Sequence, residues 1–275
     1  MTLIPTTKQS RDALDVSPLD VRVLLAGMPK VGKSTLAASW PADTTLIVDT
    51  QRGSTMLDGD HFVAHVGSWA EFEALVTELT MTEHQFRTVV LDLVDDLWRF
   101  CDVHHAGKDD VLASATDDWQ RSINTCEGVF IDVVGRLIGS PLGIWFLTHT
   151  TEKKDGDLTR YVPALSKRPL GYVKGVCQVI LLAETLGTKR MLHTQPSARF
   201  EAGSRLPLPE PMPMDAAKLY RAMGAALPNG VARDLAERDA RRSPEPAPAP
   251  PADEPELEGA DAEPVETPAG EAVAA

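Results

Sequence analysis

The chain has 275 residues, 43% of them hydrophobic, and a formal net charge of −13. That length and apolar content suit one α/β domain of ordinary size with appendages, and exclude a chain disordered throughout. Three dispersed cysteines, Cys101, Cys126 and Cys177, have no C-x-x-C spacing; this excludes a disulfide scaffold and a cysteine zinc site, and leaves small core hydrophobes in a reducing compartment.

In chain order, residues 1–20 read as a loosely ordered lead-in without the apolar stretch of a signal peptide. Residues 21–242 form the expected folded core, in which strand and helix signals alternate to about residue 228. This is the pattern of an α/β fold with a mostly parallel central sheet. Val21–Ala26, Thr45–Asp49 and Phe62–Val66 are the first predicted strands. Ser68-Trp69-Ala70-Glu71 is a capping box that opens a helix through Leu79, with Phe72, Leu75, Val76 and Leu79 on one face. Thr88–Asp92 is the next strand. Asp117–Gly139 reads as a long amphipathic helix carrying Ile123, Phe130, Val134 and Leu137. Gly143–Thr148 and Val176–Ala183 are further strands. Gly187-Thr188 separates two β-like runs, Val179–Leu186 and Arg190–Thr194, and predicts a terminal hairpin. Asp215 is placed to cap a last helix through Ala226. No apolar run is long enough to span a bilayer, so a soluble cytoplasmic protein is expected.

Residues 243–275 differ in kind. They hold eight Pro, nine Ala and nine acidic residues with no Lys or Arg. Such a segment cannot bury enough surface to offset its ordering entropy and reads as a disordered acidic tail. It carries −9 of the net charge, which leaves −4 for the preceding 242 residues. Overall acidity therefore does not exclude a nucleic-acid partner for the body. The tail could contact a partner, compete with DNA for a basic surface, or simply solubilise.

Chemistry concentrates after the first strand. Gly27-Met28-Pro29-Lys30-Val31-Gly32-Lys33-Ser34, followed by Thr35, fits the phosphate-binding loop G-x-x-x-x-G-K-[ST] between a strand and a helix. Glycines let successive N–H groups point at phosphate oxygens. Lys33 should reach the β- and γ-phosphates, and Ser34 should hold Mg²⁺, so ATP and Mg²⁺ are the expected cofactors. The metal needs a second anchor. Val89-Val90-Leu91-Asp92 supplies an apolar strand ending in a carboxylate, although Asp92 could also cap the next helix. Asp95 and Asp96 follow, either behind the site or solvated.

With that loop, the Asp49-Thr50-Gln51-Arg52-Gly53 turn, the strand ending at Asp92 and Phe146-Leu147-Thr148-His149-Thr150, residues 20–228 resemble the RecA/Rad51 core. More narrowly they resemble the short phage and prophage RecA-like ATPases of the Sak4 type. The resemblance implies ATP-dependent annealing of single-stranded DNA in phage recombination, a homo-oligomer, and a single-strand-binding protein as partner in the host cytoplasm. It also implies a catalytic Glu where this chain has Gln51. Gln cannot take a proton usefully, though it can orient water, so slow hydrolysis is expected. His149 would sense the γ-phosphate, and Arg199 would reach the neighbouring subunit's site.

Thr150–Gly175 carries Lys153, Lys154, Arg160, Lys167, Arg168 and Lys174 against three acids, a net +3 on an acidic body. It reads as a basic DNA-binding loop that contacts phosphates without reading sequence, with Tyr161 and Tyr172 available to stack on bases. Whether residues 104–117 add to that surface stays open, and a merely solvated charged loop is the plain alternative. Two other functions remain. A nucleotide or metabolite kinase would need a lid of clustered arginines, which is not evident. An ATP-controlled adaptor or loader would act through the acidic tail. A GTPase would need an Asn-Lys-x-Asp motif, which does not occur.

Overall fold

The structure, a computed structural model, describes residues 17–109, 117–156 and 158–223. The acidic tail, the lead-in up to residue 16 and the end of the last expected helix, residues 224–226, lie outside the described residues.

Six parallel strands form the centre of one sheet. They are β1 (Arg22–Gly27), β2 (Thr45–Asp49), β3 (Phe62–His65), β4 (Thr88–Asp92), β5 (Gly143–Thr148) and, after a separate hairpin β6 (Thr150–Asp155) and β7 (Leu158–Pro163), β8 (Val179–Leu186). Their order is β8-β1-β5-β4-β2-β3. Antiparallel β9 (Lys189–His193) extends the β8 edge, followed by the two-residue strand β11 (Met212–Pro213); β10 (Gly203–Ser204) also pairs with β8. The fold is an α/β P-loop core with a mostly parallel sheet. The terminal hairpin lies where expected, its turn made by Gly187 at φ 62°.

Period-2 alternation builds a core on each face of the sheet. Val23, Leu25, Ile47, Val90, Trp145 and Leu147 point to one side. There they meet α1 (Lys33–Ala37), Trp40 and α6 (Ala216–Ala222). Leu24, Leu46, Val48, Val89, Leu91, Ile144 and Phe146 point to the other. That side is covered by α2 (Trp69–Met81), α3 (Val94–Asp109), α4 (Asp117–Ile138) and α5 (Lys167–Val176). Ser68 caps α2 by accepting from the Glu71 N–H, and the Glu71 carboxylate returns to the Gly67 N–H. On α4, Phe130, Val134 and Leu137 are fully buried; the side chain of Ile123 lies outside the described ones. Asp215 caps α6 through the Lys218 N–H.

Residues 17–20 are packed into this body. Leu19 is buried, its carbonyl accepts from the Thr88 hydroxyl, and the Pro18 carbonyl accepts from the Trp145 indole. The expected basic loop Thr150–Gly175 is instead a β-hairpin turning at Gly156 and then the helix α5. The β8 strand accordingly begins at Val179, not Val176, because Val176 closes α5. None of the described helices is long and apolar enough to cross a membrane.

Candidate functional site

The site lies at the C-terminal edge of the parallel strands. Strand register sets its layout: Asp49 stands level with Asp92 across β2 and β4, Asp92 with Leu147 across β4 and β5, and Thr148 with Ala26 across β5 and β1. The phosphate-binding loop therefore sits on the other side of β5 from Asp92, and His149 follows the last residue of β5.

Two glycines shape the loop. A Cβ at Gly27 would meet the Val31 side chain at 2.9 Å and the Ala183 carbonyl at 3.0 Å, so the loop can curl this closely against β8 only without a side chain. Gly32 takes φ 105°, in the left-handed region. Lys33 is 5% exposed, and its ammonium donates to the carbonyls of Gly27 (2.9 Å) and Met28 (3.1 Å). Burial lowers its pKa, against the pull of Asp92 and Asp95. Burial likewise raises the pKa of Asp92, opposed by a hydrogen bond from the Ser34 hydroxyl and by the charge of Lys33. A hydroxyl and a desolvated carboxylate in contact, beside a buried ammonium, suit a Mg²⁺ ion that keeps waters and phosphate oxygens as its other ligands. Among the described residues no cluster of three or more His, Cys, Asp or Glu offers a self-contained metal cage.

Asp49 builds rather than reacts. Its carboxylate is 2% exposed and accepts from the N–H groups of Gln51 (2.9 Å), Gly53 (3.3 Å) and Ser54 (2.8 Å). Burial pushes its pKa up, but the hydrogen bonds, those of Ser54 foremost, outweigh it and leave the group below the usual range. The turn so fixed presents Gln51, whose Nε2 donates to Asp96 Oδ2 at 2.6 Å. The amide oxygen is then the end left to face a water. His149 is clamped by Asp95, with Nδ1 2.9 Å from Oδ2 and the His149 N–H donating to Oδ1 at 3.3 Å. Both acids belong to the first turn of α3.

A cleft of about 410 Å³ gathers Lys33, Ser34, Gln51, Asp92 and His149, with Pro29, Lys30 and Thr35 from the loop. Val31 instead packs into the core, and Met28 is half exposed beside a smaller neighbouring pocket. Arg199 does not line the cleft; its guanidinium lies over the rings of Tyr161 (5.8 Å) and Phe200 (5.5 Å). Lys153 and Arg160 are cross-strand partners on the β6–β7 hairpin, next to exposed Lys154. On α5, Lys167 is exposed, whereas Arg168 faces Glu127 at 3.6 Å and Lys174 holds Glu201 at 2.8 Å. Tyr161 is stacked on Phe200, and Tyr172 packs against the second core with its hydroxyl over Gly135. Residues 104–109 end α3, and 110–116 lie outside the described residues. Arg190, on β9, also lines the cleft; nothing in its local sequence sets it apart from a surface hairpin residue.

A protein family described as an AAA domain, AAA_24, matches residues 19–206, from the packed lead-in past β10. The chain belongs to this family of AAA domains. The matched span takes in every element of the cleft, so this AAA domain is a P-loop ATPase core. No curated protein matches the chain.

Proposed function

We propose that this AAA domain binds ATP with Mg²⁺, hydrolyses it slowly, and uses the ATP-bound state to hold single-stranded DNA for annealing in recombination. The observation that carries the reading is the continuity of β5 with the basic hairpin. His149 closes the cleft, Thr150 begins β6, and Lys153, Lys154 and Arg160 follow within the same hairpin. A change at the γ-phosphate thus has only Thr150, Thr151 and Glu152 to cross between His149 and the first basic residue, Lys153. Arg168 and Lys174, engaged in ion pairs, contribute less than the hairpin.

In this reading the loop N–H groups and Lys33 cradle the phosphates, Lys33 exchanging its carbonyl partners for phosphate oxygens. Ser34 and Asp92 would hold Mg²⁺, which neutralises charge on the β- and γ-phosphates. Gln51, held by Asp96, orients the attacking water without accepting its proton, which suits slow turnover. Arg199 would complete the site of a neighbouring subunit in a homo-oligomer, and a single-strand-binding protein is the natural partner.

The test is annealing of complementary labelled oligonucleotides with ATP, ADP or no nucleotide, together with single-strand binding across a salt series. Annealing should need ATP and disappear with Lys33→Ala. Charge reversal at Lys153, Lys154 and Arg160 should weaken DNA binding and flatten its salt dependence while leaving ATP binding intact. ATP binding without DNA binding, even at low salt, would overturn the DNA reading and favour an ATP-controlled adaptor.

A further inference from the structure

We propose that Arg190 is a phosphate-contacting residue of the nucleotide site, delivered within the same chain by the β8–β9 hairpin. The inference rests on the reading of Gly27–Ser34 as a nucleotide loop and adds a residue that the loop motif does not contain.

Topology puts Arg190 there. β8 runs parallel to β1, with Gly27 level with Ala183, so the hairpin continues beyond the sheet edge alongside the phosphate-binding loop. Arg190 pairs with Thr185 in that extension, and its carbonyl accepts from the Met214 N–H at 2.9 Å, which fixes the backbone from both sides. The side chain lies along the loop. From the position a Cβ would take on Gly32, Nη1 is 2.8 Å away, Cζ 3.4 Å and Cδ 3.5 Å. Gly32 thus leaves room for a guanidinium, and any side chain at that position would displace it.

The charge pattern gives the contact its chemistry. Arg87, Arg99, Arg136 and Arg168 each face a carboxylate. Arg190 shares the lack of such a partner with other described arginines, Arg52, Arg160 and Arg199 among them, but among the described residues it is the arginine that lines the cleft, which also contains Asp49 and Asp92. Those two acids stand on β2 and β4, on the far side of β5, whereas Arg190 comes from the β8 edge. An anion seated on the loop would have Asp92 on one side and Arg190 on the other. A guanidinium fork matches phosphate oxygens in a way a point charge does not. Backbone N–H groups of such a loop cradle the α- and β-phosphates, so a guanidinium against Gly32 belongs to those two rather than to the γ-phosphate. The hairpin is then a cis clamp that engages ATP and ADP alike.

The experiment is calorimetric titration of the full-length chain with MgATP, MgADP, tripolyphosphate and adenosine, using parent, Arg190→Ala, Arg190→Lys and Lys33→Ala. Arg190→Ala should weaken ATP, ADP and tripolyphosphate together by about ten- to a hundredfold, the loss of a charge-assisted contact. Arg190→Lys should recover only part of this, and both variants should melt within a few degrees of the parent. A loss for ATP and ADP but not tripolyphosphate would place the side chain on the nucleoside and overturn the proposal. So would a loss confined to ATP, which would place it on the γ-phosphate. If Lys33→Ala abolishes binding and Arg190→Ala changes nothing, Arg190 is a solvent arginine and the loop reading stands. If Lys33→Ala also leaves binding intact, the loop reading fails and the clamp falls with it.

Discussion

Replacing Gln51 with Glu would install the acid that the resemblance to RecA-like cores implies, yet here it should neither speed hydrolysis nor leave the fold unharmed. Gln51 is exposed, but its Nε2 donates to Asp96, a carboxylate only 9% exposed, at 2.6 Å. Gln51→Glu removes a hydrogen bond to a charged group, about 1.5–3 kcal/mol. It also sets two carboxylates face to face; like charges 4 Å apart repel by about 4 kcal/mol at a surface-like dielectric before any relaxation. Because position 51 is open to water, the new side chain swings outward and most of that repulsion is relieved. The expected net destabilisation is about 1.5–3 kcal/mol, or roughly 4–10 °C in Tm for a domain of this size. Adding Asp96→Asn restores a donor opposite the new acceptor. It also frees Arg99, which is 66% exposed and costs less than about 1 kcal/mol. The double variant should therefore melt well above the sum of the single losses, and it alone should turn over ATP faster than the parent. The assay is thermal melting without nucleotide alongside steady-state hydrolysis. Strict additivity in Tm would refute the Gln51–Asp96 contact. Unchanged turnover in the double variant would remove Gln51 from the catalytic position.

Asp92→Asn and Ser34→Ala should each weaken ATP binding about tenfold or more in the presence of Mg²⁺ and far less in EDTA, as read by calorimetry; equal losses in both would deny them the metal. Gly143→Ala should abolish stable folding, because its Cβ would stand 1.9 Å from the Leu19 carbonyl oxygen, 2.6 Å from its carbonyl carbon and 3.0 Å from Asp20 Cα, all backbone atoms; urea denaturation within about 1 kcal/mol of the parent would contradict that packing. Glu210 gives a pH test. Burial raises its pKa, but hydrogen bonds from the Thr194 N–H, His193, the Thr194 hydroxyl and the Gln195 N–H leave it below the ordinary 4.5. A depressed carboxyl stabilises the fold above its unfolded value and loses that contribution as pH falls through the folded one. Glu210→Gln should therefore melt below the parent at pH 7, with the gap closing below about pH 4.5; a gap unchanged down to pH 3 would show that the carboxylate contributes nothing through its charge.

Much of this fold was legible in the chain by itself, because its signals are local. Short continuous apolar runs in Thr45–Asp49, Thr88–Asp92 and Gly143–Thr148 declare buried strands on their own, and Ser68 with Glu71 opens a helix within one turn. The phosphate-binding loop is likewise contiguous, so Lys33 and Ser34 could be named from spacing. The segment Thr150–Gly175 misled because its charge masked its geometry: Lys153 and Arg160 suggest a solvated loop until the antiparallel register around Gly156 sets them opposite each other. The sequence points to α3 only as the helix that Asp92 could cap, without bounds, because Val94–Asp109 mixes acids and histidines with its apolar positions; Val94, Leu97 and Cys101 are buried against α4 and the sheet. What pairs with what was decided by strand order. Gln51 meets Asp96 across 45 positions and His149 meets Asp95 across 54. Arg190 lies over Gly32 from a hairpin at the far edge of β1. Local pattern reports the preference of a segment for strand, helix or turn. Only the assembled sheet, which sets distant segments side by side, decides which acid holds the glutamine and which cation lies over the phosphate loop.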